Sequence, residues 1–341
     1  MDAERAPRSE AELEDVLSRP SARLSAALAQ VPGDLVVLGA GGKMGPSLAR
    51  MAKRADPRRR VVAVSRWSSA EAAAQLRAHD VETVSADLLD PRALAALPDA
   101  PNVVFMAGQK FGTTGSPAST WAMNAAVPAF AAERYAGARI VVFSTGNVYA
   151  LTPPSRGGSR ETDEPAPVGE YASSCLARER LFAAGAARHG TRVAIVRLNY
   201  AHDLRYGVLT DLAAKLTRGA PIDVAMGYVN VIWQGDANAL ALAALGRASA
   251  PEPYVVNVAG GETLRVADVA QRLAARLGVD AHITGTEAPD ALLSNSAKML
   301  ELLGDPLLPL DTLLDWVADW IARGGRLLGK PTSFEKRDGK F

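Results

Sequence analysis

Six short, almost continuously apolar runs, separated by alanine-rich stretches with helical spacing, constrain this chain more than any other feature. The runs read DLVVLGA from Asp34, then RRVVAVS, VETVSAD, NVVFMAG, ARIVVFST and RVAIVRLN. Between them lie segments such as GPSLARMAKRA, SAEAAAQLRAH and VPAFAAERYAG. A strand that is apolar at nearly every position has no polar face to turn to water, so both of its faces must be covered. Strands that alternate with helices pair in parallel. The pattern predicts an α/β fold, a doubly wound parallel sheet with helices on both faces.

The flanking regions read differently. Residues 1–30 form a helical preface: Ser9 can cap a helix through AELEDVLS, Pro20 interrupts it, and SARLSAALAQ resumes. After about residue 200 the alternation loosens into VLTDLAAKLTRG, a short strand, VNVIW, a helix and PYVVNVAG. Two amphipathic helices follow, VADVAQRLAARLG and LDTLLDWVADWIARGG. The final KPTSFEKRDGKF is polar and basic, as expected of a loosely held tail.

Length and charge narrow the function classes. With 341 residues there is room for about two domains. Lys+Arg 38 against Asp+Glu 37 leaves a formal charge of +1 with no basic stripe, which argues against a nucleic-acid partner. The single cysteine, Cys175, excludes an internal disulfide framework and a cysteine-based zinc site, and the four histidines show no metal-ligand spacing. No run of eighteen apolar residues offers a membrane span, and MDAERAPRSEAELEDV lacks the basic-then-apolar order of a signal peptide. A cytoplasmic location is expected.

The first run passes directly into Gly39-Ala40-Gly41-Gly42-Lys43-Met44-Gly45, where helical spacing begins. Gly39, Gly42 and Gly45 satisfy G-x-x-G-x-x-G. Glycines here let the chain turn tightly and let backbone approach a pyrophosphate, which sits against the positive end of the helix. Alone, such a triplet marks only a strand-to-helix turn; directly after the first strand of a βαβ unit it reads as a dinucleotide site. An acidic residue about twenty positions on would grip the ribose of NAD. The second run ends instead in Ser65-Arg66, and arginine there pairs with the 2′-phosphate of NADP, with Lys43 assisting. NADP is therefore favoured over NAD, the alternative being that Arg66 is a solvated surface charge.

Seven segments in order resemble the extended short-chain dehydrogenase/reductase family, which includes NAD(P)-dependent nucleotide-sugar epimerases and dehydratases. They are VVLGAGGKMG, the Asp87-Leu88 pair, VVFMAGQKFG, VVFSTGNVYA, ETDEPAPVGEYASSCLARERLF, RLNYAH, and the later YVVNVAGGETLRVADVA with LLSNSAKMLELLGDP. The resemblance implies a Rossmann domain over 31–199 and 230–260. It implies a smaller C-terminal substrate domain over 200–229 and 261–330, with the preface over 1–30 and a polar tail over 331–341. Cofactor contacts fall to Gly39, Gly41, Gly42, Lys43, Met44, Gly45, Arg66, Asp87, Leu88, Ala107, Gly108, Lys110, Asn124, Ser144 and Tyr171. Tyr171 exchanges the proton, with Thr145, Lys110 and Cys175 around it, and Asn199 faces the substrate. A homodimer built from helices near 117–133 and 168–188 is implied as well.

One departure stands out. The family's Y-x-x-x-K is here Tyr171-Ala172-Ser173-Ser174-Cys175. The family lysine holds the nicotinamide ribose and lowers the tyrosine pKa. A tyrosine near 10 is a poor base at neutral pH, and a neutral thiol supplies no field. Three readings remain open: another cation substitutes, either Lys110 or Arg178 two turns from Tyr171 on the same helix face; catalysis is weaker; or the chain binds a dinucleotide without turnover. A nucleophilic Cys175 lacks a nearby activating histidine.

Around the substrate the sequence offers Asn199, His202, Arg205 with Tyr206, and Trp233 with Gln234. Arginine suits a phosphate or carboxylate and tryptophan a sugar face; packing and surface pairing are the plainer alternatives. Glu161, Asp163 and Glu164 read as solvated loop charges. The function expected is NAD(P)-dependent oxidoreduction or epimerisation of a hydroxylated, sugar-like substrate. The alternatives are an NADPH-dependent reductase of a non-sugar carbonyl compound and a catalytically silent dinucleotide sensor.

Overall fold

The structure, a computed structural model, describes residues 5–110, 112, 115–304, 308–330 and 332–340. It opens with two short helices, α1 (Glu10–Leu17) and α2 (Ala22–Ala29), each started by a serine that accepts a first-turn N–H: Glu12 N to Ser9 Oγ at 3.1 Å and Leu24 N to Ser21 Oγ at 3.1 Å. Strand and helix then alternate: β1 (Leu35–Leu38), α3 (Gly45–Ala55), β2 (Val61–Ser65), α4 (Ala70–Arg77), β3 (Glu82–Ser85), α5 (Pro91–Ala95) and β4 (Asn102–Phe105). Helix α6 (Pro117–Trp121) runs through a π-helical turn (Ala122–Ala126) into α7 (Val127–Arg134), and β5 (Arg139–Thr145), α8 (Gly169–His189) and β6 (Arg192–Leu198) follow.

The second half is built from short pieces. These are β7 (Ala201–His202), α9 (Val208–Thr217), β8 (Ile222–Asp223), β9 (Tyr228–Val229), β10 (Ile232–Trp233), α10 (Gln234–Ala243), β11 (Tyr254–Val258), β12 (Leu264–Arg265), α11 (Val266–Leu277), β13 (Ile283–Thr284), α12 (Ala297–Leu303) and α13 (Leu310–Ala322). Seven strands form one parallel sheet in the order β11-β6-β5-β4-β1-β2-β3. The two-residue strands pair off separately as β7–β10, β9–β12 and β8–β13.

Burial explains the strand composition. Strands β1 and β4 are buried at every position, whereas β3, at the sheet edge, reads Glu82-Thr83-Val84-Ser85 and is partly exposed throughout. One sheet face packs on α2, α3 and α10; the other packs on α5, α7 and α8. A third core gathers α1, α9, α11 and α13, including Trp233 edge-on to Trp316 at 5.7 Å between ring centroids.

The preface therefore does not stand apart. Leu13 and Leu17 are fully buried in the third core, while Leu24 and Leu28 lie in the core against the sheet. The last residues are not a loose tail either. Phe334 is buried in the third core, Thr332 donates from N and Oγ1 to Asp211 at 2.7 and 2.6 Å, and Arg337 pairs with Asp290. One large aromatic side chain and three polar anchors suffice to dock a segment whose composition is otherwise polar.

The strand order reverses between β1 and β4. Loops leaving the carboxyl ends of these two strands diverge there, and a crevice opens, the place where open α/β sheets bind ligands.

Candidate active site

The glycine turn lies on one side of that crevice. Gly39 has φ +85°, and a Cβ there would lie 2.5 Å from the Ala107 amide N at the end of β4. A Cβ at Gly45 would run into the Ala40 carbonyl, so α3 can seat this close to the strand only with glycine. Gly42 is open, with nothing nearer than the Gly39 carbonyl at 3.6 Å, and a side chain at Gly41 would meet Ser65 Oγ. Met44, the N-cap of α3, supplies no side-chain acceptor. The first-turn N–H groups of α3 are left for an external anion. A glycine-rich turn with an uncapped helix beyond it fits the pyrophosphate of a dinucleotide.

The far end of this crevice carries Arg66 and Asp87. Arg66 has a side chain 67% exposed and lies 3.9 Å from the Asp87 carboxylate, whose other oxygen accepts from Leu89 N at 3.0 Å. Leu88 is buried beneath them. Lys43 does not join this end. Its Nζ donates to the Ala201 carbonyl at 3.0 Å and sits 4.3 Å above the Tyr206 ring, so the expected help at a 2′-phosphate is corrected: Lys43 faces the opposite region of the cleft.

There a cavity of about 190 Å³ opens, lined by Lys43, Met44, Lys110, Ser144, Thr145, Asn147, Tyr171, Leu198, Asn199, Tyr200, Ala201, Tyr206, Gly207, Val208 and Thr332. Tyr171 and Thr145 both lie in its wall. Thr145 ends β5 and Tyr171 occupies the first turn of α8, so the pair is fixed by a strand and a helix. Asn147 donates to Thr145 Oγ1 from its backbone N at 3.2 Å and from Nδ2 at 3.0 Å. Ser144 turns away, donating to Glu179 Oε1 at 2.5 Å.

Burial dominates the electrostatics. It pushes the Tyr171 phenol far above its ordinary value, the neighbouring Cys175 adds to this, and Arg178 and Thr145 oppose it. The buried Cys175 thiol is likewise pushed up, so it is no thiolate nucleophile. Lys110 and Lys43 are each drawn down to about 8 by burial, against the pull of Asp211 on Lys110 and of Asp203 on Lys43.

Behind the cavity, Asn124 holds the crevice together from the π-helical turn. Its Oδ1 accepts from Gln109 N and from Arg178 Nη2, both at 2.8 Å; its Nδ2 donates to the Gln109 carbonyl at 2.9 Å and to Ser174 Oγ at 3.0 Å. One side chain thereby ties the loop Ala107–Lys110 to α8. The π-helical turn offsets the helix so that Asn124 can point inward, a common use of such turns. Ala107 is buried and Gly108 exposed at the cleft.

Three of the four expected substrate contacts lie elsewhere. Asn199 does line the cavity, its Nδ2 bonded to Asn230 Oδ1 at 3.0 Å. His202 is fully buried in β7, against Gly207 and 3.4 Å from Thr210 Oγ1, and burial draws it down to about 3. It is a neutral packed ring. Arg205 is held by the buried Asp203 at 2.8 Å and by Glu14 of α1 at 2.7 Å, so it anchors the preface. Trp233 packs on Trp316 in the third core and borders a different cavity. Sequence neighbourhood alone points each of these toward the substrate, and each finds a partner that sequence proximity does not show.

Other residues gain roles. Tyr206 and Tyr200 line the cavity, as does Thr332 from the C-terminal segment. Glu161, expected in solvent, accepts from Asn257 N at 2.8 Å. It joins a buried chain in which Glu179 pairs with Arg197 at 2.7 Å, Arg197 donates to Tyr149 Oη at 2.8 Å, and Tyr149 donates to Asn257 Oδ1 at 2.8 Å. No helix among the described residues is long and apolar enough to cross a membrane.

Similarity to known proteins agrees with this geometry. The structure of MoeE5 in complex with UDP-glucose and NAD matches with a TM-score of 0.67 at 21% identity, over 85% of this chain and 99% of that one. The UDP-Glc/GlcNAc 4-epimerase of Campylobacter jejuni matches with a TM-score of 0.70 at 21% identity, over the same 85% and 99%. The UDP-glucose 4-epimerase of Thermus thermophilus in complex with NAD gives 0.68 at 18% identity, again over 85% and 99%. At such identities the likeness establishes the fold. No curated protein sequence matches. The model of the NAD dependent epimerase/dehydratase family matches residues 35–227, from β1 through the glycine turn, Thr145 and Tyr171 to the edge of β9, and the chain belongs to that family.

Proposed function

We propose that this protein is an NAD(P)-dependent oxidoreductase or epimerase acting on a hydroxylated, sugar-like substrate. The observation that carries the reading is that Tyr171 and Thr145 share the wall of one cavity, which opens beside the glycine turn. A dinucleotide would be held by Gly39–Gly45, Asp87, Leu88, Ala107 and Gly108, and would supply the hydride acceptor or donor; Asn124, expected among its contacts, is fully buried and spends its side chain on Gln109, Arg178 and Ser174. Tyr171 moves the proton at its Oη to and from the substrate hydroxyl, and Thr145 Oγ1 donates to the same oxygen. Asn199 faces the substrate from the end of β6, beside Thr145, and Lys43 and Lys110 bring positive charge to the cavity. Arg66, at the end of β2 where NAD sites carry an acid, favours NADP. Exposed Trp121 (40%) and Val168 (55%), beside α6 and α8, suit a homodimer contact there.

One observation favours a smaller substrate. The cavity, about 190 Å³ with Thr332 in its wall, is below the roughly 300–1,000 Å³ usual for drug-sized ligands. This is the observation behind a second reading, reduction of a small non-sugar carbonyl compound. Turnover on panels of UDP-sugars and of small aldehydes and ketones, for wild type and Tyr171→Phe, separates the readings. The substitution is expected to cost about 10²- to 10⁴-fold in kcat while dinucleotide affinity stays unchanged. Undiminished turnover in Tyr171→Phe would remove the tyrosine from the mechanism.

A further inference from the structure

Position 175 holds a thiol where Y-x-x-x-K chains hold an ammonium, yet a cation is present three residues further along α8. Tyr171, Cys175 and Arg178 share one helix face because side chains four and seven positions apart align. Arg178 is buried. Its Nη1 donates to the Phe143 carbonyl at 2.7 Å, two residues before Thr145, and its Nη2 donates to Asn124 Oδ1 at 2.8 Å. A Cβ at Gly108 would lie 2.6 Å from that same Nη2. The guanidinium is thus wedged between the end of β4, the end of β5 and α8, beneath the crevice.

Two features show that this cation is not balanced by the fold. Its Nε is buried with no acceptor. The neighbouring carboxylate, Glu179, is taken by Arg197 at 2.7 Å and by Ser144, and no carboxylate pairs with Arg178 among the described residues. A buried charge without a counter-ion is costly, and a fold that keeps one gains from it when an anion forms close by.

We propose that Arg178 is the fixed positive charge that favours the ionised form of Tyr171, replacing from two turns down the helix the ammonium that is missing at 175. The inference rests on Tyr171 being the proton-transfer group of the proposed function. The phenol's surroundings support it: burial and Cys175 raise Tyr171, and Arg178 is the cation that opposes them. Lys110, the other candidate, lines the cavity and lies within the pull of Asp211 from α9. The charged and titratable groups around the phenol are Cys175, Arg178 and Glu179 from α8, Lys110 from the loop after β4, Lys43 from the glycine turn, and Asp211 from α9 with Tyr206 before it. Arg178 stands on the helix that carries Tyr171 and is immobilised by hydrogen bonds to β5, which carries Thr145, and to Asn124. Arg178 is on this account a positioning residue, acting through Tyr171.

The test places 2,3,5,6-tetrafluorotyrosine at 171, whose greater acidity offsets the upward push of burial, and follows its ¹⁹F shift against pH without cofactor. Arg178→Gln is expected to raise the apparent pKa by about 1 to 3 units, and Lys110→Met by less than half as much. The double variant Cys175→Lys/Arg178→Gln is expected to return the titration to that of the unsubstituted background. Should Arg178→Gln fold poorly, Arg178→Lys, which keeps the charge, and Arg178→Met, which removes it but keeps an unbranched side chain, give the answer: the first must titrate close to the parent and the second clearly above it. An unmoved titration in folded Arg178→Gln, a larger effect from Lys110→Met, or no recovery in the double variant would overturn the proposal. A wrong reaction assignment would show in turnover instead, since the titration reads the phenol alone.

Discussion

Individual residues are legible in the sequence where their role is local to the backbone. Gly39 and Gly45 can be assigned because a strand passing straight into a helix leaves room for no side chain, and the structure shows backbone where each Cβ would go. Roles that depend on distant partners are not legible. Arg205, expected on the substrate, is held instead by Asp203 and by Glu14 of α1, remote in sequence. His202 yields a prediction at this scale. Burial lowers it from 6.5 to about 3, so the folded state keeps it neutral where the unfolded chain takes up a proton. Its contribution to stability is therefore complete above about pH 6.5 and is lost as pH falls toward 3, at up to about 1.4 kcal/mol per pH unit. Thermal or urea unfolding at several pH values is expected to give, for His202→Gln, about one proton less taken up on unfolding between roughly pH 4 and 6. An identical slope in wild type and variant would mean that the ring is reached by solvent.

Elements are plainer in the first half of the chain than in the second. The strands of the large sheet are mostly uniformly apolar, and their alternation with helices is regular. Strands β7 to β10 are two residues each, too short for any period, and form only because they pair with one another or with later strands. The C-terminal segment escapes a sequence reading for a related reason. It holds one buried aromatic, Phe334, whose pocket in the third core comes from remote helices. Phe334→Ala is expected to weaken docking of residues 332–340 by about 3 kcal/mol, releasing Thr332 from Asp211 and the cavity wall. Limited trypsin digestion reads this directly: cleavage after Lys336 or Arg337 is expected to be slow in wild type and fast in the variant. Equal rates would show that the hydrogen bonds and ion pairs, and not the aromatic ring, hold the segment.

Over the whole molecule, two surfaces of the fold converge on one crevice. The sheet's reversal between β1 and β4 sets the dinucleotide side; α9, the residues after β7 and the C-terminal segment close the substrate side around Tyr171 and Thr145. The preface and the last residues, which carry no motif, both pack into the core that supports the second side. Family membership, the glycine turn and the uncapped α3 together lead to the central claim that this protein holds NAD or NADP in that crevice. The measurement that tests it is to denature freshly purified protein, identify any released nucleotide by chromatography, and titrate the nucleotide-free protein with NADPH, NADH and their oxidised forms by calorimetry. The account predicts either a stoichiometric dinucleotide, favouring an internal redox cycle as in epimerisation, or reversible binding with NADPH preferred, favouring a reductase that exchanges its cofactor. Protein that is empty as purified and binds none of the four would contradict the account.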